Sequence, residues 1–138
     1  MRVLNIGSIN IDHVYQVDHF VRPGETLGSL DYQCLAGGKG FNQSVALARA
    51  GVATAHAGRI GQDAAWLLKR LEAEGIDTRH VVFDEAATGH AIIQVAPNGE
   101  NAIFLFAGAN KQVSEAEVIA AIAGCPPGDM LLLQNEHS

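Results

Sequence analysis

Apolar and polar positions alternate along the chain with two different periods, and the switches between them delimit its elements. Residues 3–9, Val3-Leu4-Asn5-Ile6-Gly7-Ser8-Ile9, open it as a short apolar run of the kind a buried strand shows. From Asp12 to Ala36 a period of two takes over. Val14, Gln16 and Asp18 alternate with Tyr15, Val17 and His19, and a Pro23-Gly24 turn precedes a second run over 27–35. That pattern predicts two antiparallel strands with one wet face. Residues 41–50 carry Phe41, Val45, Leu47 and Ala48 at helical spacing, with Gly51 placed to end the helix. Residues 52–60 predict a strand. A second helix follows, capped by Asp63, reaching Glu74 and stopped by Gly75. A short strand falls at 81–83. A hairpin is predicted from 91–96 and 102–106, turned by Pro97-Asn98-Gly99-Glu100, because Asn-Gly suits a tight turn. Ser114-Glu115-Ala116-Glu117 has the capping-box pattern and opens a helix to about residue 123. Met130-Leu131-Leu132-Leu133 closes the series as another buried strand.

Strand–helix–strand alternation predicts an α/β layer built on a parallel sheet. The two period-two segments do not fit inside such a sheet, so they are expected to form a small β layer beside it. No internal repeat is visible.

Composition narrows the function classes. The 138 residues are 48% hydrophobic and 17% charged, as in a folded globular domain rather than a disordered segment. Fifteen acidic against nine basic residues give a net charge of −6. Without a basic face to displace counterions, nucleic-acid binding is not expected. The apolar runs fall short of the roughly 20 residues of a membrane-spanning helix. No charged N-terminal stretch leads a long apolar run, so a cytoplasmic protein without a secretory signal is expected. Cys34 and Cys125 share no metal-ligand spacing and are expected to be buried free thiols in a reducing compartment. The six histidines show neither HxH nor HExxH spacing, so no metal site is predicted. No Ser-His-Asp or Cys-His set follows from spacing.

In open parallel sheets, ligands gather beyond the C-terminal ends of the strands. Three polar groups fall at such ends: Asn10 and Asp12, residues 37–42, and Asn135-Glu136. Gly37-Gly38-Lys39-Gly40 is not a phosphate P-loop, because Gly40 stands where Ser or Thr should follow the lysine. It also lacks GxGxxG spacing. Two readings remain, a glycine turn that merely enters a helix and a turn where a ligand meets backbone. In the second, Lys39 and Asn42 add donors to the N–H groups of the helix start.

Four motifs in order, Gly7-Ser8-Ile9-Asn10-Ile11-Asp12, Pro23-Gly24-Glu25-Thr26, Gly37-Gly38-Lys39-Gly40-Phe41-Asn42-Gln43 and Gly108-Ala109-Asn110, resemble the ribokinase-like (PfkB) carbohydrate kinases over the whole chain. The resemblance implies a three-layer α/β/α domain with a β-sheet lid formed by segments near 12–36 and 89–106. It implies transfer of the ATP γ-phosphate to a sugar hydroxymethyl group, with magnesium and potassium as accompanying ions. It also implies that Asn10, Asp12, Gly38, Lys39, Asn42 and Glu136 bind the sugar, with ribose or deoxyribose favoured over a nucleoside, a hexose or a keto-deoxy sugar acid. The family's second signature, a GAGD-like turn carrying the general base, has no counterpart here. Neither Gly61-Gln62-Asp63 nor Gly128-Asp129 has its pattern. No catalytic base is therefore assigned, and it is expected beyond residue 138. The chain is expected to be the sugar-binding, lid-bearing N-terminal part of such a domain, inactive alone and dimeric through the lid. The alternative class is a non-catalytic sugar-binding or dimerisation module.

Overall fold

The structure, a computed structural model, describes residues 1–134. Four strands form a sheet in the order β5-β4-β1-β8: β1 (Val3–Ile6), β4 (Thr54–Gly61), β5 (Asp77–Asp84) and β8 (Met130–Leu133). All three of its pairings are parallel. Helices pack on both faces of β1 and β4, whereas β8, expected as a buried strand, has Met130, Leu131 and Leu133 about half exposed at the edge of the sheet. Strand alternation sends Leu4, Ile6, Ala55 and Ala57 to one face, where Val118, Ala121 and Cys125 of the α3 region (α3, Glu115–Ala123) pack on them. On the other side α1 (Lys39–Arg49) and α2 (Ala65–Ala73) bury Phe41, Leu67 and Leu71 against Ile9, Ile60 and Ile76. The architecture is therefore three-layered, as expected.

The remaining strands form a second sheet, β3-β2-β6-β7, from β2 (Asn10–Gln16), β3 (Asp31–Gly37), β6 (Gly89–Val95) and β7 (Asn101–Phe106). The predicted strand pairs are both present as antiparallel ladders. Pattern alone did not show that β2 and β6 also pair, in parallel from Asn10↔Gly89 to Gln16↔Val95, fusing the two segments into one sheet. The predicted strand at 27–35 begins only at Asp31, since residues 17–30 run outside the ladder.

Helix signals held where a side chain or a left-handed glycine enforces them. Gly51 and Gly75, at φ +81° and +76°, follow the ends of α1 and α2, and Ser114 with Glu117 forms the complete capping box of α3. Asp63 differs from expectation. Residues Gln62–Ala64 form a separate 3-10 turn, and α2 starts without a side-chain cap. Thr88 explains this. It is fully buried, and the Asp63 carboxylate accepts from its N–H (3.1 Å) and its hydroxyl (2.6 Å), so Asp63 is spent on a long-range contact. The cysteine expectation also fails: both thiols are free, but Cys34 is exposed and Cys125 is half-buried. Cys34 lies on β3, an edge of the second sheet, where no layer covers it. Among the described residues no helix is long and apolar enough to cross a membrane.

Candidate functional site

The chain passes between the two sheets at four places: residues 7–9, 37–38, 85–88 and 107–108. The candidate residues cluster at these crossings because each crossing directly follows or precedes a strand end. Asn110, in the 3-10 turn Gly108–Gln112, ties two of them together from the buried side. Its Oδ1 accepts from the Ile9 N–H at 3.0 Å, and its Nδ2 donates to the Asn10 Oδ1 at 2.7 Å. The second bond fixes the amide of Asn10: with Oδ1 occupied as acceptor, the donor end of that side chain faces elsewhere. Ser8, Asn10, Asn110, Leu105, Phe106 and Ala107 line a cleft between the sheets. Sequence reasoning quoted Asn110 only as part of a motif and gave it no role. Its partners lie about a hundred residues away in sequence, so only the fold reveals them.

Asp12 stands two residues further along β2, on the face it shares with Asn10. Its carboxylate lies against Gly37, where any Cβ would overlap it. Gly37, expected only as part of the glycine turn, is thus a site residue in its own right. Burial pushes the Asp12 carboxyl above the ordinary carboxylate range, and the nearby His13 offsets only part of that. Among the described residues no hydrogen-bond donor to it is found. A half-buried carboxylate in this state gains from a ligand that brings its own hydroxyl donors.

Gly38 is at φ +92°, a conformation that L side chains rarely adopt, and a Cβ there would fall 2.7 Å from the Ser8 carbonyl oxygen and 2.9 Å from the Asn10 nitrogen. The close approach is therefore to the protein's own backbone. The N–H groups of the helix start are also partly spent, since Phe41 N–H donates to the Ser8 carbonyl at 3.0 Å. Lys39 and Asn42, both exposed, sit on the first turn of α1 directly after this glycine. The structure thus brings Asn10, Asp12, Gly37 and Gly38 into contact and sets Lys39 and Asn42 beside them. Glu136, with Asn135, lies outside the described residues. Among the described residues no cluster of histidine, cysteine, aspartate and glutamate is arranged to hold a metal ion.

Chemically, a cleft with an oriented amide lies next to a half-buried carboxylate that has no donor among the described residues, an arrangement suited to a polyhydroxylated ligand. Comparisons with known proteins agree in kind. A family profile described as pfkB family carbohydrate kinase matches residues 2–135. A ribokinase of Haemophilus influenzae is 45% identical over 134 residues, which cover 95% of this chain and 44% of that protein. The crystal structure of a ribokinase from Cryptococcus neoformans in complex with ADP matches with a TM-score of 0.83 at 40% identity, over 99% of this chain and 42% of that one. An Arabidopsis thaliana ribokinase complexed with ribose and ATP matches with a TM-score of 0.83 at 27% identity, over 99% of this chain and 46% of that one. The fold is ribokinase-like, and the chain spans less than half the length of these relatives.

Proposed function

This chain belongs to the pfkB family of carbohydrate kinases, and from that premise we propose that it forms the acceptor-binding part of an ATP-dependent ribokinase. The observation that carries the reading is the half-buried Asp12 carboxylate beside an Asn10 amide whose orientation Asn110 sets. Two vicinal sugar hydroxyls donate to Asp12, and the Asn10 Nδ2 donates to a sugar oxygen. Charge-assisted bonds of this kind contribute roughly 1.5–3 kcal/mol each. Gly37 leaves room for the Asp12 carboxylate and Gly38 packs on the Ser8 and Asn10 backbone, and Lys39, Asn42 and Glu136 are the further sugar contacts that the family resemblance implies. The second sheet lies over the pocket as a lid, with Leu105, Phe106 and Ala107 on one wall of the cleft.

In this reading the general base and the triphosphate site lie beyond residue 138. Asp12 is better employed as a clamp, because a base must sit at the one hydroxyl that attacks. ATP as donor is supported by the nucleotides in the related structures. Magnesium and potassium rest on the family alone. The described residues offer no metal-holding cluster. A homodimer through the second sheet is supported by β7, where Ile103, Phe104, Leu105 and Phe106 are all more than half exposed on an edge strand. A cytoplasmic location fits the free, exposed Cys34.

The test is ADP release by the intact protein with ATP, magnesium and potassium and a panel of ribose, deoxyribose, a nucleoside and a hexose. Preference for ribose supports the reading. Turnover only with a nucleoside or hexose moves the protein elsewhere in the family, and sugar binding without turnover leaves a non-catalytic module.

A further inference from the structure

Behind the glycine turn, on the α1 side of the sheet, three polar side chains are completely buried: Asn5 on β1, Ser44 on α1 and His56 on β4. The opposite face of the same two strands is apolar, with Leu4, Ile6, Ala55 and Ala57. Polar groups in such a place are costly unless every one is bonded. Here they form a chain. Asn5 Nδ2 donates to the Gly40 carbonyl at 2.8 Å and to Ser44 Oγ at 2.9 Å. Ser44 Oγ lies 2.7 Å from His56 Nδ1, and His56 Nε2 lies 3.2 Å from the Gly7 carbonyl oxygen. Gln134 Nε2 donates to Asn5 Oδ1 at 2.6 Å, adding β8's end to the set.

These bonds fit one state of the histidine. A carbonyl only accepts, so Nε2 carries the hydrogen. Ser44 receives from Asn5 and passes its own hydroxyl hydrogen to Nδ1, which must then be bare. A neutral imidazole with Nε2–H uses each donor once. An imidazolium would aim a second N–H at Ser44 Oγ and strand the serine hydrogen.

We propose that Asn5, Ser44 and His56 are positioning residues for the acceptor site, with His56 acting as the neutral Nε2–H tautomer. The inference rests on the sugar-site reading above. The two carbonyls they grip, Gly7 and Gly40, flank a close approach of the chain after β1 to α1, where a Cβ on Gly40 would fall 2.5 Å from the Gly7 carbonyl carbon. From Gly7 the chain runs to Asn10, and from Gly40 it runs back to Gly38. The network therefore sets the spacing of the two walls between which the sugar lies. Apolar side chains of similar shape satisfy stability at such a site, so geometry is what the polar set adds.

The test pairs ribose kinetics with substrate-free spectroscopy on the intact protein. In the Ser44→Ala/His56→Phe double variant, ribose KM rises about tenfold with a much smaller change in kcat, and amide exchange at residues 38–41 speeds up about tenfold. His56→Gln, which keeps a donor for the Gly7 carbonyl, recovers most of the KM change. Nitrogen-15 shifts of the wild type show the Nε2–H tautomer at neutral pH. A folded double variant with wild-type KM and wild-type exchange overturns the proposal, as does the Nδ1–H tautomer. If the double variant does not fold, Ser44→Ala alone and the wild-type spectrum decide it. If the wild type does not bind ribose, the sugar reading fails, and exchange at 38–41 still decides the positioning role.

Discussion

At Asp12, burial without a described donor separates function from stability. A carboxyl raised above its ordinary value binds its proton more tightly when folded. Its contribution to stability is therefore greatest at low pH and falls as pH climbs from the ordinary carboxylate range through the raised value. Ionised Asp12 is thus a cost to the ligand-free fold at neutral pH. Asp12→Asn is expected to melt at or above the wild-type temperature at pH 7, with the difference shrinking on acidification. Paired melting curves at both pH values check this, and a variant that melts lower at pH 7 contradicts it. Gly38 teaches the reverse lesson. Its positive φ and its contacts with Ser8 and Asn10 mean that Gly38→Ala strains the fold as well as the site. Both sugar affinity and the urea midpoint are expected to fall, whereas a loss of affinity alone would mark a glycine reserved for ligand.

Elements were legible in the sequence where the cause of an element is local. The capping box Ser114–Glu117, the Asn98-Gly99 turn and the glycines after α1 and α2 are each enforced within a few residues. Ser114→Ala is expected to cost about 1 kcal/mol of stability, read from urea unfolding. Glu117 does more than cap, because it also receives Arg59 of β4 at 3.0 Å, and Arg59 pairs with Asp84 of β5 as well. What stayed hidden was decided by distant partners. Asp63 left its helix cap for Thr88, β2 found β6 as a parallel neighbour, and Asn110 reached Asn10. Within the site, Asn10 and Asp12 were visible because they follow an apolar strand. Gly37 and Asn110 stood in visible motifs, but their roles did not show, since those are defined by what they touch across the crossings.

Over the described residues as a whole, two edge strands carry runs of exposed apolar side chains. Met130, Leu131 and Leu133 of β8 are about half exposed, as are Ile103 to Phe106 of β7. Edge strands of this kind invite pairing. The 138-residue chain by itself is therefore expected to self-associate, seen as excess light scattering that rises with concentration. It is also expected to release no ADP from ribose, ATP, magnesium and potassium, because phosphoryl transfer needs acceptor, base and triphosphate held together. Turnover on the order of 1 s⁻¹ from that chain alone would place the catalytic base within it. Whether residues 10–12 and 37–42 are the acceptor site is tested most directly by calorimetric titration of ribose into the intact protein and its Asp12→Asn variant. Loss of the charge and of one of the two acceptor oxygens is expected to raise the ribose Kd by about tenfold or more. An equal Kd for the two proteins would contradict the assignment of Asp12, and with it the site.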